Sequence, residues 1–219
     1  MNRREFLLGL AAIATVAPAT ADAATEAFQI SEAEIRQVPR KYRRRTVRYS
    51  GNQTPGTIVV DTPNRFLYLV IPGAEAIRYG IGVGRQGFSW SGTAVIRRKA
   101  KWPTWTPPPK MVERDEFAAK WADGMPGGPR NPLGARALYL YQSNVDTLYR
   151  IHGTIVPSSI GKAVSSGCIR MLNTDVADLY DRVTIGTRVV VLQSATIMAE
   201  EDSTGSTPRK RRFPFWSKD

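Results

Sequence analysis

One cysteine and one histidine occur among the 219 residues, 16 positions apart. His152 lies in Arg150-Ile151-His152-Gly153-Thr154, and Cys168 lies in Ser165-Ser166-Gly167-Cys168-Ile169-Arg170-Met171. A thiol becomes a good nucleophile near neutral pH when a base takes its proton, and imidazole is the usual base. An adjacent imidazolium can also lower the thiol pKa by several units. The run Ser165-Ser166-Gly167 is a small-residue turn predicted to enter a helical region. Successive backbone N–H groups in such a turn can point at one spot and hold an oxyanion. Nucleophile, base and oxyanion hole are the parts of an acyl transfer. The competing reading makes Cys168 a small buried hydrophobe and His152 a satisfied core residue. The two together, with the Ser-Ser-Gly-Cys turn, favour catalysis. Asp146 and Asp175 are the carboxylates nearest in sequence, and neither has special support as a partner for His152. A backbone carbonyl could hold the ring instead.

The same counts exclude other chemistry. One cysteine forbids an intramolecular disulfide, so a disulfide-stapled scaffold is ruled out. A zinc site needs three or four protein ligands, which one His and one Cys do not supply, and no carboxylate motif suggests another metal. Gly82-Val83-Gly84 with Gly87 imitates a dinucleotide fingerprint. No helix is expected after it, since a strand begins at Thr93, so a phosphate-binding role fails its context test. No cofactor is expected.

The N-terminus reads as an export signal over residues 1–23. Arg3-Arg4 precedes an apolar run from Phe6 to Val16, and Ala21-Asp22-Ala23 fits small-x-small cleavage. The run is shorter than the roughly 20 residues that a bilayer span needs, so no stable anchor is expected after cleavage. The arginine pair resembles a twin-arginine signal. Removing residues 1–23 leaves about 196, enough for one domain with a proper core. The net charge of +12 is concentrated in two blocks, Arg36 to Arg48 and Arg209 to Arg212. Such blocks attract polyanions through a salt-sensitive term. For an exported chain the polyanion is an acidic envelope polymer or lipid head group rather than a specific nucleic acid. A solvated basic face with a disordered tail is the plainer alternative.

The elements that must position the pair are mostly strands. Residues 24–55 form a basic leader in which Ser31-Glu32-Ala33-Glu34 resembles a capping box for a short helix. β-branched and aromatic runs predict strands at Thr57–Val60, Phe66–Ile71, Ala76–Val83, Thr93 onward, Arg136–Gln142, Leu148–His152 and Thr187–Leu192. Asn173 is expected to N-cap a helix running to Val183. Residues 97–135 break the rhythm: seven of the 15 prolines fall there, with Trp102, Trp105 and Trp121. One helix is expected over Met111–Trp121. The insertion reads as a wall or lid over the site, with a packing excursion as the alternative. Residues 194–219 read as a basic, disordered tail.

Taken together, Ile151-His152-Gly153-Thr154 and Ser165-Ser166-Gly167-Cys168-Ile169-Arg170-Met171 resemble the L,D-transpeptidase (YkuD-type) catalytic domain of bacterial cell-wall enzymes. Gly56-Thr57-Ile58-Val59-Val60-Asp61, Tyr79 to Gly84 and Asn131-Pro132-Leu133-Gly134 extend the likeness, which covers about residues 56–193. Many members carry a second histidine where this chain has Ser166, so His152 is the sole imidazole. The resemblance implies a mainly β, sandwich-like domain with a few short helices and the cysteine near the start of one. It implies attack by Cys168 on a peptidoglycan stem peptide, release of D-alanine, a thioester, and its resolution by an amine into a 3→3 cross-link. It further implies that the Gly153 carbonyl orients His152, and that N–H groups of Ser166, Gly167 and Cys168, in the turn begun by Ser165, form the oxyanion hole. Tyr139 would line the site or pack across strands; Arg170 would order the turn, meet a substrate carboxylate or lie on the surface. Water or an envelope-protein amine would serve equally as acyl acceptor. A non-enzymatic peptidoglycan-binding module is the remaining alternative.

Overall fold

β-branched and aromatic runs do become strands. The structure, a computed structural model, describes Glu26 and residues 28–85, 90–165 and 167–192. The expected export signal, basic tail and Ser166, and residues 86–89 of the glycine-rich stretch, lie outside the described residues. In chain order the strands are β1 (Arg45–Arg48), β2 (Ile58–Asp61), β3 (Phe66–Ile71), β4 (Glu75–Gly80), β5 (Val83–Gly84), β6 (Gly92–Lys101), β7 (Arg136–Gln142), β8 (Val145–His152), β9 (Ala163–Ser165), β10 (Ile169–Arg170) and β11 (Arg188–Leu192). The α-helices are α1 (Pro109–Val112), α2 (Glu116–Ala119) and α3 (Asn173–Arg182). The fold is mainly β with a few short helices, as the sequence predicts.

Nine strands form one sheet in the order β1-β4-β3-β2-β11-β6-β7-β8-β10, and β5 pairs with β9 beside it. Alternation along each strand sends Ile58, Leu67, Tyr79, Ile96, Leu138 and Ile151 into one core. Fully burying each aliphatic side chain contributes about 1.5–3 kcal/mol. The sheet curls around this core. Beyond β4, Gly82 exchanges two backbone hydrogen bonds with Arg170 of β10, 2.9 and 2.8 Å, so the two arms meet. The assembly is sandwich-like and is not a closed barrel. Helix α3 fills the remaining side with Val176 and Leu179, joined by Val183 just past its end, and the Tyr79 hydroxyl donates to Asp178 at 2.6 Å.

Several local expectations change. Met111–Trp121 is two short helices, because Asp115 leaves helical geometry and its carboxylate caps α2 by accepting from Ala118 N at 3.0 Å. The expected strand Ala76–Val83 divides at Ile81-Gly82, where the chain crosses to β10. Ser31 caps a short 3-10 helix, Glu32–Gln37, but Glu34 does not return to it. Leu172 is the N-cap of α3, and Asn173 is its first helical residue. Glu34 and Asn173 have left these local roles for each other: Glu34 accepts from Asn173 N at 3.0 Å and from Asn173 Nδ2 at 2.9 Å.

The leader packs along the sheet. β1 pairs antiparallel with β4, Arg44 pairs with Asp178 at 2.9 Å, and Glu26 bonds both Arg136 and the Trp102 indole. The Pro/Trp-rich insertion is pinned by the buried Asn131, whose amide donates to the carbonyls of Pro103, Met125 and Pro126. Trp105 stacks on Phe117 at 5.9 Å. No helix among the described residues is long and apolar enough to cross a membrane.

Candidate active site

β8 and β10 run parallel, with Ile151 opposite Ile169 and His152 opposite Arg170. Paired residues of parallel strands share a face, and neighbours alternate. Ile151 and Ile169 fill the core, so His152 and Arg170 lie on the other face. Extending the register by one residue sets Cys168 beside Arg150, on the face of His152 and roughly 7 Å from it along the strand. Cys168 precedes a strand; α3 begins five residues later, so the expected helical entry is replaced by β10. The short strand locks the cysteine's backbone to β8, which is what brings the only thiol to the only imidazole.

The turn before Cys168 is closed by Ser165. Its buried hydroxyl donates to the Cys168 carbonyl at 2.7 Å and accepts from Gly167 N at 3.2 Å. Gly167 has φ +121°, a conformation that side-chain-bearing residues rarely adopt. The Gly167 N–H is therefore engaged within the turn. Ser166 lies outside the described residues.

His152 is 5% exposed, and its Nδ1 lies 2.6 Å from the Gly153 carbonyl oxygen. A carbonyl has no proton to give, so Nδ1 donates and Nε2 keeps its lone pair. Neither Asp146 nor Asp175 serves the ring. Asp146 pairs with Arg150 at 2.7 and 2.8 Å, and Asp175 faces Arg44 at 3.8 Å. Burial holds the His152 pKa down at about 4; the Gly153 and Leu133 carbonyls oppose this, and Arg170 and Arg150 add to it. Cys168 is half-buried and reachable. The packed protein around it still pushes its thiol up, against the Arg150 backbone N–H and the charges of Arg150 and Arg170. The two pKa values move apart, so at pH 7 the resting pair is neutral thiol and neutral imidazole rather than an ion pair. Among the described residues no hydrogen bond joins them; Sγ is directed at the Leu148 carbonyl, 3.9 Å away.

A cationic row runs across this face. Tyr139 is opposite both Arg98 of β6 and Arg150 of β8, and their guanidinium carbons lie 4.4 and 4.6 Å from its ring centroid. Tyr139 is 6% exposed, so it acts as the packed middle of this stack. Arg150, overlooked in the sequence, lies between Tyr139 and the thiol. Strand alternation two positions before His152 would have found it. Arg170 is half-buried beside both His152 and Cys168. The site thus offers a half-buried thiol, a neutral imidazole and one guanidinium, Arg170, suited to a carboxylate, since Asp146 already holds Arg150. Among the described residues, no cluster of three or more His, Cys, Asp or Glu could hold a metal ion.

Known proteins resemble this chain over the segment that holds the site. The YkuD family, described as an L,D-transpeptidase catalytic domain, matches residues 55–191. Probable L,D-transpeptidase ErfK/SrfK of Escherichia coli K12 is 38% identical over 143 residues, which cover 62% of this chain and 43% of that protein. Probable L,D-transpeptidase YbiS of the same strain is 38% identical over 138 residues, 60% of this chain and 43% of that one. The chain spans less than half the length of these relatives. A Brucella melitensis crystal structure, called a probable carnitine operon oxidoreductase, is 53% identical over 71% of this chain and 96% of its own, with a TM-score of 0.49. That superposition is too loose to carry a functional argument. The matched segment contains both members of the Cys–His pair and the strands that align them: the chain belongs to the YkuD family of L,D-transpeptidase catalytic domains.

Proposed function

We propose that the protein is a cysteine-dependent L,D-transpeptidase that acts on peptidoglycan stem tetrapeptides in the cell envelope, after export directed by residues 1–23. The observation that carries this reading is the β8–β10 register, which sets the single thiol two residues from the single imidazole on one face of the sheet. The Cys168 sulfur attacks the carbonyl carbon between the third stem residue and the terminal D-alanine. His152 Nε2 takes the thiol proton as the S–C bond forms and gives it to the departing D-alanine amine as the C–N bond breaks. A thioester remains. The side-chain amine of a second stem then attacks it, an N–C bond replaces the C–S bond, and His152 takes the proton that the amine loses and passes it to the departing sulfur, leaving a 3→3 cross-link.

The neutral resting pair makes this a general-base reaction, in which the thiol is deprotonated as it attacks. The Cys168 N–H, with the Gly167 N–H once released from Ser165, supplies the oxyanion donors. Arg170 meets a substrate carboxylate. Residues 56–193 carry the chemistry. Incubation with disaccharide tetrapeptides, followed by mass spectrometry, tests the reading. Wild type should release D-alanine and carry an acyl adduct on Cys168, and Cys168→Ala should do neither. Turnover by Cys168→Ala at the wild-type rate would remove the thiol from the mechanism. A dimeric product indicates an amine acceptor, a free tripeptide indicates water, and binding with no adduct leaves a peptidoglycan-binding module.

A further inference from the structure

His152 needs its Nδ1 fixed, and the group that fixes it belongs to a loop. Gly153-Thr154 leaves the sheet immediately after β8, where strand pairing ends. Gly153 N donates to the Arg136 carbonyl at 3.1 Å, which anchors one side of the loop. The other side rests on Asn173. Its Nδ2 donates to the Thr154 carbonyl at 3.0 Å, and its Oδ1 accepts from Ala135 N at 2.8 Å. The fit is tight: a Cβ added at Gly153 or Gly134 would collide with Asn173 Oδ1. An amide with one oxygen and two N–H donors meets its demands here only with a further acceptor. Glu34, 139 residues earlier, is that acceptor, and its two oxygens take Asn173 Nδ2 at 2.9 Å and Asn173 N at 3.0 Å.

We propose that Glu34 and Asn173 are positioning residues for His152: the leader carboxylate orients the Asn173 amide, and the amide holds the Gly153–Thr154 loop whose carbonyl orients the imidazole. The inference rests on His152 acting as the base. It gives the leader a part in the chemistry, because a segment far upstream of the reacting pair completes the hydrogen bonding of the loop beneath it. A carboxylate suits the role, since its two oxygens bridge a main-chain and a side-chain donor of one residue. When that bridge is lost, the amide can rotate, Thr154 O loses its donor, and the Gly153 carbonyl is free to turn from the ring.

The single histidine and single cysteine make the test unambiguous. The variants are Glu34→Ala, Asn173→Ala and, as a control, Glu32→Ala on the same 3-10 helix. The first readout is the His152 imidazole titration by NMR; the second is the rate of Cys168 acylation by a tetrapeptide; the third is thermal melting. In Glu34→Ala and Asn173→Ala the titration should move up by about one unit or more as water reaches the ring. Acylation should fall about tenfold to hundredfold, the cost of a reacting group displaced by an ångström or so. Glu32→Ala should match wild type. Glu34→Gln, which keeps one acceptor, should lie between; it also serves if Glu34→Ala does not fold. A lower melting temperature with unchanged titration and unchanged acylation would overturn the proposal and leave a purely structural contact. If wild type itself does not react with the tetrapeptide but the titration moves in the variants, the positioning role stands and the substrate assignment fails.

Discussion

At the scale of single residues, the arrangement turns on two groups whose environments push them in opposite directions. His152 is driven toward the neutral base by burial, and Cys168 is driven toward the neutral thiol. A resting thiolate–imidazolium pair would react with alkylating agents at a constant rate across the pH 5–8 range. The neutral pair gives a different curve. Alkylation of Cys168 by iodoacetamide should rise steadily with pH and reach its midpoint above the ordinary thiol range, because the thiolate forms only when solvent hydroxide removes the proton. A plateau beginning near pH 5 would show instead that His152 already activates the resting thiol. Arg150 belongs to the same scale. Its guanidinium is held by Asp146 and the Tyr139 face, so its charge near the thiol is fixed in direction.

At the scale of elements, the decisive parts are short: a two-residue strand and the turn before it. β10 has only two residues in register with β8, yet this pairing determines which face Cys168 occupies. Slipping the register by one residue would send the thiol into the core. Gly167, at φ +121°, makes the turn that delivers the chain into this register. Gly167→Ala should therefore cost about 1–3 kcal/mol in backbone strain and lower the melting temperature by roughly 2–4 °C for each kcal/mol. It should reduce acylation more than its stability loss explains, because the strain falls on the Cys168 N–H. Calorimetry and acylation rates on one preparation separate the two effects, and an unchanged melting temperature would show that the turn has relaxed around the new methyl group. The elements also show where local reading stops. Ser31 and Asn173 both carry the side-chain chemistry of helix caps. Ser31 is one, but the Asn173 side chain is taken by Glu34, Thr154 and Ala135, all distant in sequence.

At the scale of the whole molecule, two buried titrating groups give pH responses of opposite sign. His152, held at about 4 in the folded protein and near 6.5 when unfolded, binds its proton preferentially in the unfolded chain. Its contribution is complete above pH 6.5 and is lost as pH falls toward 4. Asp175 behaves inversely. Burial pushes it up to about 7, Arg44 at 3.8 Å offsets little of this, and Oδ2 has no hydrogen-bond partner among the described residues. Its contribution is complete below its unfolded value of 3.8 and is lost as pH rises through 7. Each effect is on the order of 3–4 kcal/mol at most, so they largely cancel between pH 4 and 6.5. Asp175→Asn removes one limb. Relative to wild type its stability should climb across that window, with the largest gain at pH 8, where wild type must bury a carboxylate. Urea midpoints at pH 4.5, 6.5 and 8 measure this; parallel profiles for the two proteins would show that Asp175 titrates as an ordinary carboxyl.

The sequence by itself determined the chemistry available and the strand content. One thiol and one imidazole leave few catalytic designs, and runs rich in β-branched and aromatic residues suit the pleated, largely buried surface of a sheet. Glycine at position 167 was likewise legible as a turn. Tertiary structure alone decided the rest. The parallel register of β8 and β10 put Cys168 and His152 on one face. Burial set the directions of their pKa values, which depend on atoms brought from the whole sheet. The partnership of Glu34 with Asn173 was also invisible in advance, since each residue satisfies a plausible local motif. A hydrogen-bonding side chain has more than one sufficient partner, and only the folded chain chooses among them.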